Sequence, residues 1–487
     1  LSSTTAATTA NTHRGANRLI LGIVLAVISF WLFAQTTLNV APTMREELRI
    51  SESLNNIAVS ITALFSGIFI VVAGGLADRV GRLKITYVGL ALSVLGSLLI
   101  AISPSGTVAF LMTGRIIQGL SAACIMPATL ALIKDYFDGK DRQRAVSYWS
   151  IGSWGGSGVS ALFGGLVASS LGWRWIFWMS IIVSAISFLL LRGAPESKVT
   201  STDKRRFDSY GFTSFIISMV ALNIVIGQGS ALGWSNPVVI TLAVVFVLAA
   251  VVFFRVESRN PDGFVDLRLF NNKTYTGATL SNFLLNGAAG TLLVALSLVQ
   301  QAAGLSSLQS GLLTIGYLVA ILSTIRVGEK LLQRMGARKP MLIGCVITAT
   351  GILLTTFTFL QAGQYMIVAF VGFTLFGVGL GFYATPSTDA ALSNVPNEKA
   401  GAASGIYKMA SSLGAAFGVA ISAALFTSLS GLSAKFTALS DLFLGRTDNV
   451  GIRFAAAIAL LFNVMMVIVA IVAIALTVPN DDPRAHA

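Results

Sequence analysis

Long apolar stretches recur from one end of the chain to the other, and polar positions are largely confined to the short segments between them. Fourteen such runs fall at 18–40, 54–77, 85–103, 107–133, 145–168, 175–192, 208–229, 236–255, 276–299, 308–327, 340–360, 365–392, 400–429 and 453–478. Each is close to or above the ~20 residues with which an α-helix crosses a ~30 Å hydrocarbon core. Transmembrane strands would alternate in character over ~10 residues, and these runs are too long and too uniformly apolar for that. The pattern predicts an all-α integral membrane protein with 14 transmembrane helices.

The segments between the runs repeat. GGLADRVGRLK (Gly74 to Lys84) follows the second run and EKLLQRMGARK (Glu329 to Lys339) the tenth, and Gly336 lies 255 residues after Gly81. PATLAL from Pro127 and PSTDAAL from Pro386 close the fourth and twelfth runs, 259 residues apart. Duplicated segments at corresponding places are the signature of transporters built from repeats. The expected organisation is 6+2+6, with two pseudo-symmetric six-helix bundles at 18–192 and 276–479. An inserted helix pair occupies 208–256, between a linker at 193–207 and a segment at 257–275. A disordered tail covers 1–17 and a second tail 480–487. Residues 430–452 are expected to form an external loop with helical spacing at Leu432, Phe436, Leu439, Leu442 and Phe443, which fits either an interfacial surface loop or a hinged lid.

Composition agrees with this pattern. The chain is 55% hydrophobic and 11% charged, against the ~25% charged residues of soluble domains. The net charge of +13 invites a nucleic-acid partner, but its distribution argues otherwise. With the N-terminus inside, 25 of the 33 Lys and Arg fall in cytoplasmic segments, 6 in external ones, and two within spans. The positive-inside rule accounts for that bias without a polyanion. Both termini are therefore expected in the cytoplasm, in a multi-pass membrane protein. Cys124 and Cys345 lie within spans, so no disulfide framework is expected.

Few groups could carry chemistry inside the bilayer. Among 20 Asp and Glu, Asp389 is the one clearly within a run, and a charge there is costly unless paired or used. Lys408 enters the next run from the same side, on a face with Gly401, Ser404, Gly405, Ser411 and Ser412. A pair that formed in one conformation and parted in another would alternate the proton affinity of Asp389. A fixed staple between two helices, or direct contact of Asp389 with a cationic substrate, explains the same residues. His13 and His486 are both in the tails, which excludes a membrane histidine relay. No H-E-x-x-H or nucleophile–base set points to an enzyme, and no phosphate loop exists to bind ATP. No cofactor is expected.

These motifs resemble the major facilitator superfamily over nearly the whole chain. Within it, the closest likeness is to the fourteen-helix drug:proton antiporters, in particular the quinolone and multidrug exporters of Gram-positive bacteria. GGLADRVGRLK is similar to the family's loop between helices two and three. The resemblance implies a gating role for Gly74, Asp78, Arg79, Gly81 and Arg82, with Asp78 accepting from a helix N-terminus. Gln333 stands in place of that Asp in the second copy. GWRWIF (Gly172 to Phe177) and FVDLRLF (Phe264 to Phe270) are typical of the branch. LMTGRIIQGLSAA (Leu111 to Ala123) resembles the fourth-helix motif, which implies a part in proton coupling for Arg115; a structural clamp on carbonyls is the other reading.

Gly152, Gly156, Ser160, Gly164 and Gly165 resemble the helix-five antiporter motif, with Ser160-Ala161 where Gly-Pro is usual. AQTTLNVAP resembles the first-helix motif, but Ala34 takes the place of its Asp. The drug cavity is expected near the midplane, with Gln35, Asn39, Gln118, Asn282 and Asn286 as polar groups and Phe283, Phe382 and Tyr383 as aromatic walls. The resemblance implies a monomeric, proton-driven exporter of amphipathic drugs embedded in a lipid bilayer. An exporter of one endogenous metabolite, lipid precursor or siderophore is the alternative on the same fold.

Overall fold

The computed structural model describes residues 17–197, 208–260, 265, 267–305, 307–430 and 448–480. The tails, most of the 193–207 linker, part of the 257–275 segment and most of the 430–452 loop lie outside these residues. The regular elements are helices throughout: α1 (17–48), α2 (Glu52–Val80), α3 (Arg82–Ala101), α4 (Ala109–Tyr136), α5 (139–170) and α6 (Arg174–Leu191). There follow α7 (Ser209–Leu232), α8 (Pro237–Arg259), α9 (273–303), α10 (307–335), α11 (Arg338–Thr355), α12 (Ala362–Ser393), α13 (Ala400–Ser430) and α14 (Val450–Thr477).

Thirteen of these are long and apolar enough to cross a membrane as single helices. The fourteenth, α5, is two α-helical pieces, Gly139–Ser150 and Gly156–Ser170, joined by a π turn at Ile151–Gly155. A second π turn, Ser29–Ala34, interrupts α1. α9 is broken at Ala288-Ala289, between Lys273–Gly287 and Gly290–Ala303.

Local chemistry sets the ends. Ser51, Asn236 and Asn272 cap α2, α8 and α9 by accepting from Leu54, Val238 and Tyr275 amides. Gly81 and Gly336, at φ +133° and +74°, close α2 and α10 in a backbone region that favours glycine.

The chain forms two compact units. The first comprises Leu1–Asp208, Asp262–Val265 and Val395–Lys408, the second Ser209–Pro261, Asp266–Asn394 and Met409–Ala487. The start of α13, up to Lys408, packs with the first unit. Its backbone explains this, since Gly401 and Gly405 lie directly against the backbone of α2 at Gly74, Ile70 and Val71.

Glycine stripes bring helices into contact within each unit. In the first, Gly152, Gly156 and Gly164 of α5 face Val24, Trp31 and Thr36 of α1, and Thr36 donates to the Ser160 carbonyl at 3.2 Å. Close packing therefore survives Ser160 in place of glycine. Gly165 is a correction to the sequence reading: it is exposed, and a side chain there would meet nothing within 4 Å. In the second unit, Gly414 and Gly418 of α13 lie against the carbonyls of Phe283 and Gly287 in α9. Such contacts let dispersion and weak interhelical bonds hold helices together where lipid removes the hydrophobic drive.

Hydroxyls add to this. Ser93 pairs with Ser184 at 3.0 Å, Ser97 donates to Ser180 at 3.1 Å, and Ser187 donates to the Gly22 carbonyl at 2.7 Å. Apolar cores fill the remainder, around Met44, Trp173 and Phe177 in the first unit and Leu298, Phe373 and Leu460 in the second.

The repeat is also written in the contacts. Arg174, opening α6, donates to the Ser103 carbonyl after α3 at 3.2 Å. Arg453, near the start of α14, donates to the carbonyls of Thr358 and Leu360 after α11. Thr358 lies 255 residues after Ser103, the offset of the loop motifs. Each arginine also pairs with an acid, Glu47 at 2.6 Å and Asp448 at 2.7 Å.

Gly418→Ala would drive a methyl into the Gly287 carbonyl, whereas Gly165→Ala adds one in open space. The first is expected to destabilise the purified protein by at least the ~1–3 kcal/mol of overpacking and the second to leave it unchanged, as read by thermal melting.

Candidate functional site

The end of α2 carries the first cluster. Asp78 is 5% exposed. Its Oδ1 accepts from the Gly401 amide at 2.9 Å and its Oδ2 from the Ala402 amide at 3.0 Å. One carboxylate thus satisfies two of the unpaired N–H groups of the first turn of α13, where the helix dipole favours negative charge. Arg82 Nε donates back to Asp78 Oδ1 at 3.0 Å. The same guanidinium reaches Ser197 Oγ at 3.2 Å, the Asn397 carbonyl, and Asp135 at 3.6 Å. Gly74 meets the Gly401 carbonyl so closely that a Cβ could not fit. At Gly81 the Glu196 carboxylate fills the space a side chain would need. Arg79 is exposed and has no hydrogen-bond or ion-pair partner among the described residues.

The second copy of the loop is built differently. Gln333 donates to Glu329 Oε1 at 3.2 Å on its own helix, and buried Glu329 pairs with Arg326. Among the described residues, no helix is capped by Gln333.

Arg115 is 2% exposed in α4. Nε donates to the Ala58 carbonyl at 3.0 Å and Nη2 to that of Val59 at 3.1 Å. Nη1 faces the Ala34 carbonyl at 2.8 Å, Thr37 Oγ1 at 3.1 Å and Gln118 Oε1 at 2.8 Å. Its partners among the described residues are carbonyls, an amide and a hydroxyl, with no carboxylate. Ala34 supplies a main-chain oxygen at the end of the α1 π turn.

Lys408 and Asp389 are both buried, at 5% and 4% exposure. Lys408 belongs to the first unit and Asp389 to the second. The Lys408 ammonium stands 4.9 Å from the ring centroid of Trp149 and 5.7 Å from that of Trp31. Asp389 sits three residues beyond Pro386 in α12, among buried Ser387, Thr388 and Ala390.

The expected cavity residues separate. Gln35 and Phe382 are half-buried, and the Asn39 side chain lies outside the description. Gln118 is committed to Arg115 and to Ser97 Oγ, 3.4 Å away. Asn282 donates to Ser411 Oγ at 2.6 Å and accepts from Asn286 at 2.9 Å. Phe283 packs near Phe417 at 6.1 Å between centroids. Tyr383 is 1% exposed, and its hydroxyl lies 2.7 Å from Ser281 Oγ and 2.9 Å from Ser387 Oγ.

Sequence reasoning missed three features. Glu196 caps α3 by accepting from the Leu83 and Lys84 amides at 3.0 and 3.1 Å; it lies over a hundred residues away and nothing local signals it. The Trp31–Trp149 pair around Lys408 is equally non-local. The Gly414/Gly418 spacing was readable, and repeats that of Gly401 and Gly405 on the same helix.

Comparison with known proteins supplies the family. The description "Major Facilitator Superfamily" matches residues 19–254, 209–419 and 278–486. The chain is 52% identical over 471 residues to the quinolone resistance protein NorB of Staphylococcus aureus strain MRSA252, covering 97% of this chain and 98% of that protein. The protein of the same name from strain MSSA476 is 52% identical over 468 residues, covering 96% and 97%. Among solved structures, the proton:xylose symporter XylE aligns with TM-score 0.64 at 18% identity, over 98% of this chain and 99% of that one. An outward-facing bacterial homologue of the iron transporter ferroportin aligns with TM-score 0.60 at 12% identity, over 94% and 99%. At these identities the structures speak for the fold alone, and the sequence matches carry the assignment. With its 6+2+6 helices and duplicated loops, the chain belongs to the Major Facilitator Superfamily and is a membrane transporter rather than an enzyme.

Proposed function

We propose that the protein is a proton-driven antiporter that exports amphipathic drugs, quinolones, dyes and quaternary ammonium compounds among them, by alternating access. The observation that carries the cargo class is the 52% identity to a quinolone resistance protein over 97% of the chain. The excess of Lys and Arg in one set of loops supports cytoplasmic termini.

The Asp78 cluster supports a gate. Its carboxylate holds the start of α13 through two amide bonds, and hydrogen bonds to a charged group contribute about 1.5–3 kcal/mol each. That strength suits a contact that must be firm in one state and breakable in the next. Asp389 supports proton coupling by its position, a buried acid four residues before the end of the apolar helix α12. We assign Arg115 the part of a clamp, supported by its bonds to α1 and α2 carbonyls.

Asp389 is tested by proton release from purified protein on adding norfloxacin or ethidium. Release with either ligand is expected, and Asp389→Asn should bind both while releasing none; unaltered release in the variant removes Asp389 from coupling. Competition between the two ligands is expected, whereas a metabolite exporter would bind neither.

Asp78→Asn keeps shape but loses charge, leaving Arg82 buried with a weakened partner, a change that costs about 3–5 kcal/mol where a buried pair is broken. Drug efflux from cells should fall at least tenfold with binding retained.

Arg115→Lys cannot reach the carbonyls on both helices at once. The expected result is a melting temperature several degrees lower, with an unchanged pH profile of proton release; a shifted profile would return Arg115 to the coupling machinery.

A further inference from the structure

The start of α13 is held at three successive points. Asp78 takes the Gly401 and Ala402 amides, Gly405 lies on the backbone of Ile70 and Val71, and Lys408 ends between two indole rings. At the third point two ring faces lie against the ammonium, 4.9 and 5.7 Å from it.

Each ring is set by its own surroundings. Trp149 is 1% exposed, and its indole N–H donates to Thr129 Oγ1 at 3.0 Å, which fixes the ring plane. Trp31 is half-buried and packs edge-on against Phe30 at 5.2 Å. Its N–H has no hydrogen-bond partner among the described residues, so the ring offers its face and not its donor. Gly156 lies against the Trp31 backbone, bringing α5 close enough to α1 for the two indoles to flank one point.

Two indole faces around a positive charge are the arrangement that recognises organic cations, and it asks no hydrogen bond of the guest. It therefore suits cations that have none to donate, such as quaternary ammonium and phosphonium ions.

We propose that Trp31 and Trp149 form a subsite for lipophilic organic cations, and that Lys408 fills it as a tethered competitor. The proposal rests on the drug-export reading above. Because Lys408 is carried on the helix, its local concentration at the rings is high, and a cationic guest must displace it. A zwitterion that binds elsewhere need not. Lys408 then sets selectivity: it disfavours monovalent cations while α13 is docked and yields the rings when that helix moves.

The test is equilibrium dialysis of the purified full-length protein with labelled tetraphenylphosphonium, and separately with norfloxacin. Lys408→Met, which keeps the stem and removes the charge, should bind tetraphenylphosphonium about tenfold tighter, about 1.4 kcal/mol. Lys408→Gln should reproduce the gain, and Lys408→Arg should not. Adding Trp31→Leu to Lys408→Met should abolish it, while norfloxacin affinity stays within about twofold throughout. Wild-type or weaker tetraphenylphosphonium binding by monodisperse Lys408→Met and Lys408→Gln overturns the cage. A gain that survives Trp31→Leu overturns it too. If no form binds norfloxacin, the drug-export reading fails, and the cage stands or falls on the tetraphenylphosphonium shift alone.

Discussion

Two amide hydrogens at the start of α13 point at one carboxylate, and much of the first unit is arranged around that fact. Asp78 could not be buried without them, because an ionised acid away from water needs several strong donors to offset lost hydration. Arg82 is buried because Asp78 is. Its remaining donors then require Ser197 and the Asn397 carbonyl, which bring in the chain on either side. Gly74 follows from the same constraint, since nothing larger would let α2 approach the Gly401 carbonyl. Glu196 closes the cluster from outside by capping α3. This set of charges and glycines therefore behaves as one unit, in which each member is permitted by the others.

The same logic governs the polar groups deeper in the helices. Arg115 reaches three main-chain oxygens, one amide and one hydroxyl. Serines bond to serines or carbonyls across α3, α6 and α1. In hydrocarbon an unmet donor costs several kcal/mol, so these contacts fix which helices are neighbours more than they add stability.

Much of this was legible in the sequence. Apolar run length gave the helices, and the 255-residue offset announced the duplication that the Arg174 and Arg453 contacts repeat. The loop residues were identified by type, with Asp78, Arg82, Gly74 and Gly81 meeting in the structure and Arg79 turned to the outside. Tyr383 and Gln118, expected at the cavity because they are aromatic or polar in mid-span, also bond to neighbouring helices. Gly165 was read with the stripe from its likeness to the helix-five motif, although one residue turns a helix by about 100°. Partners distant along the chain, such as Glu196 or the two tryptophans, leave no local trace.

The π turns of α1 and α5 lie in contact. Each amounts to an extra residue threaded into a helix, and deleting one alone would rotate everything beyond it by about 100° relative to its partner. Ala34 would then present another face to Arg115, and Trp31 would leave Gly156. Neither insertion can be lost singly without dismantling the other's contacts. In descent, the two should be inherited as a linked pair, gained together or lost together, and a lineage that kept one would have to rebuild the seam between these helices.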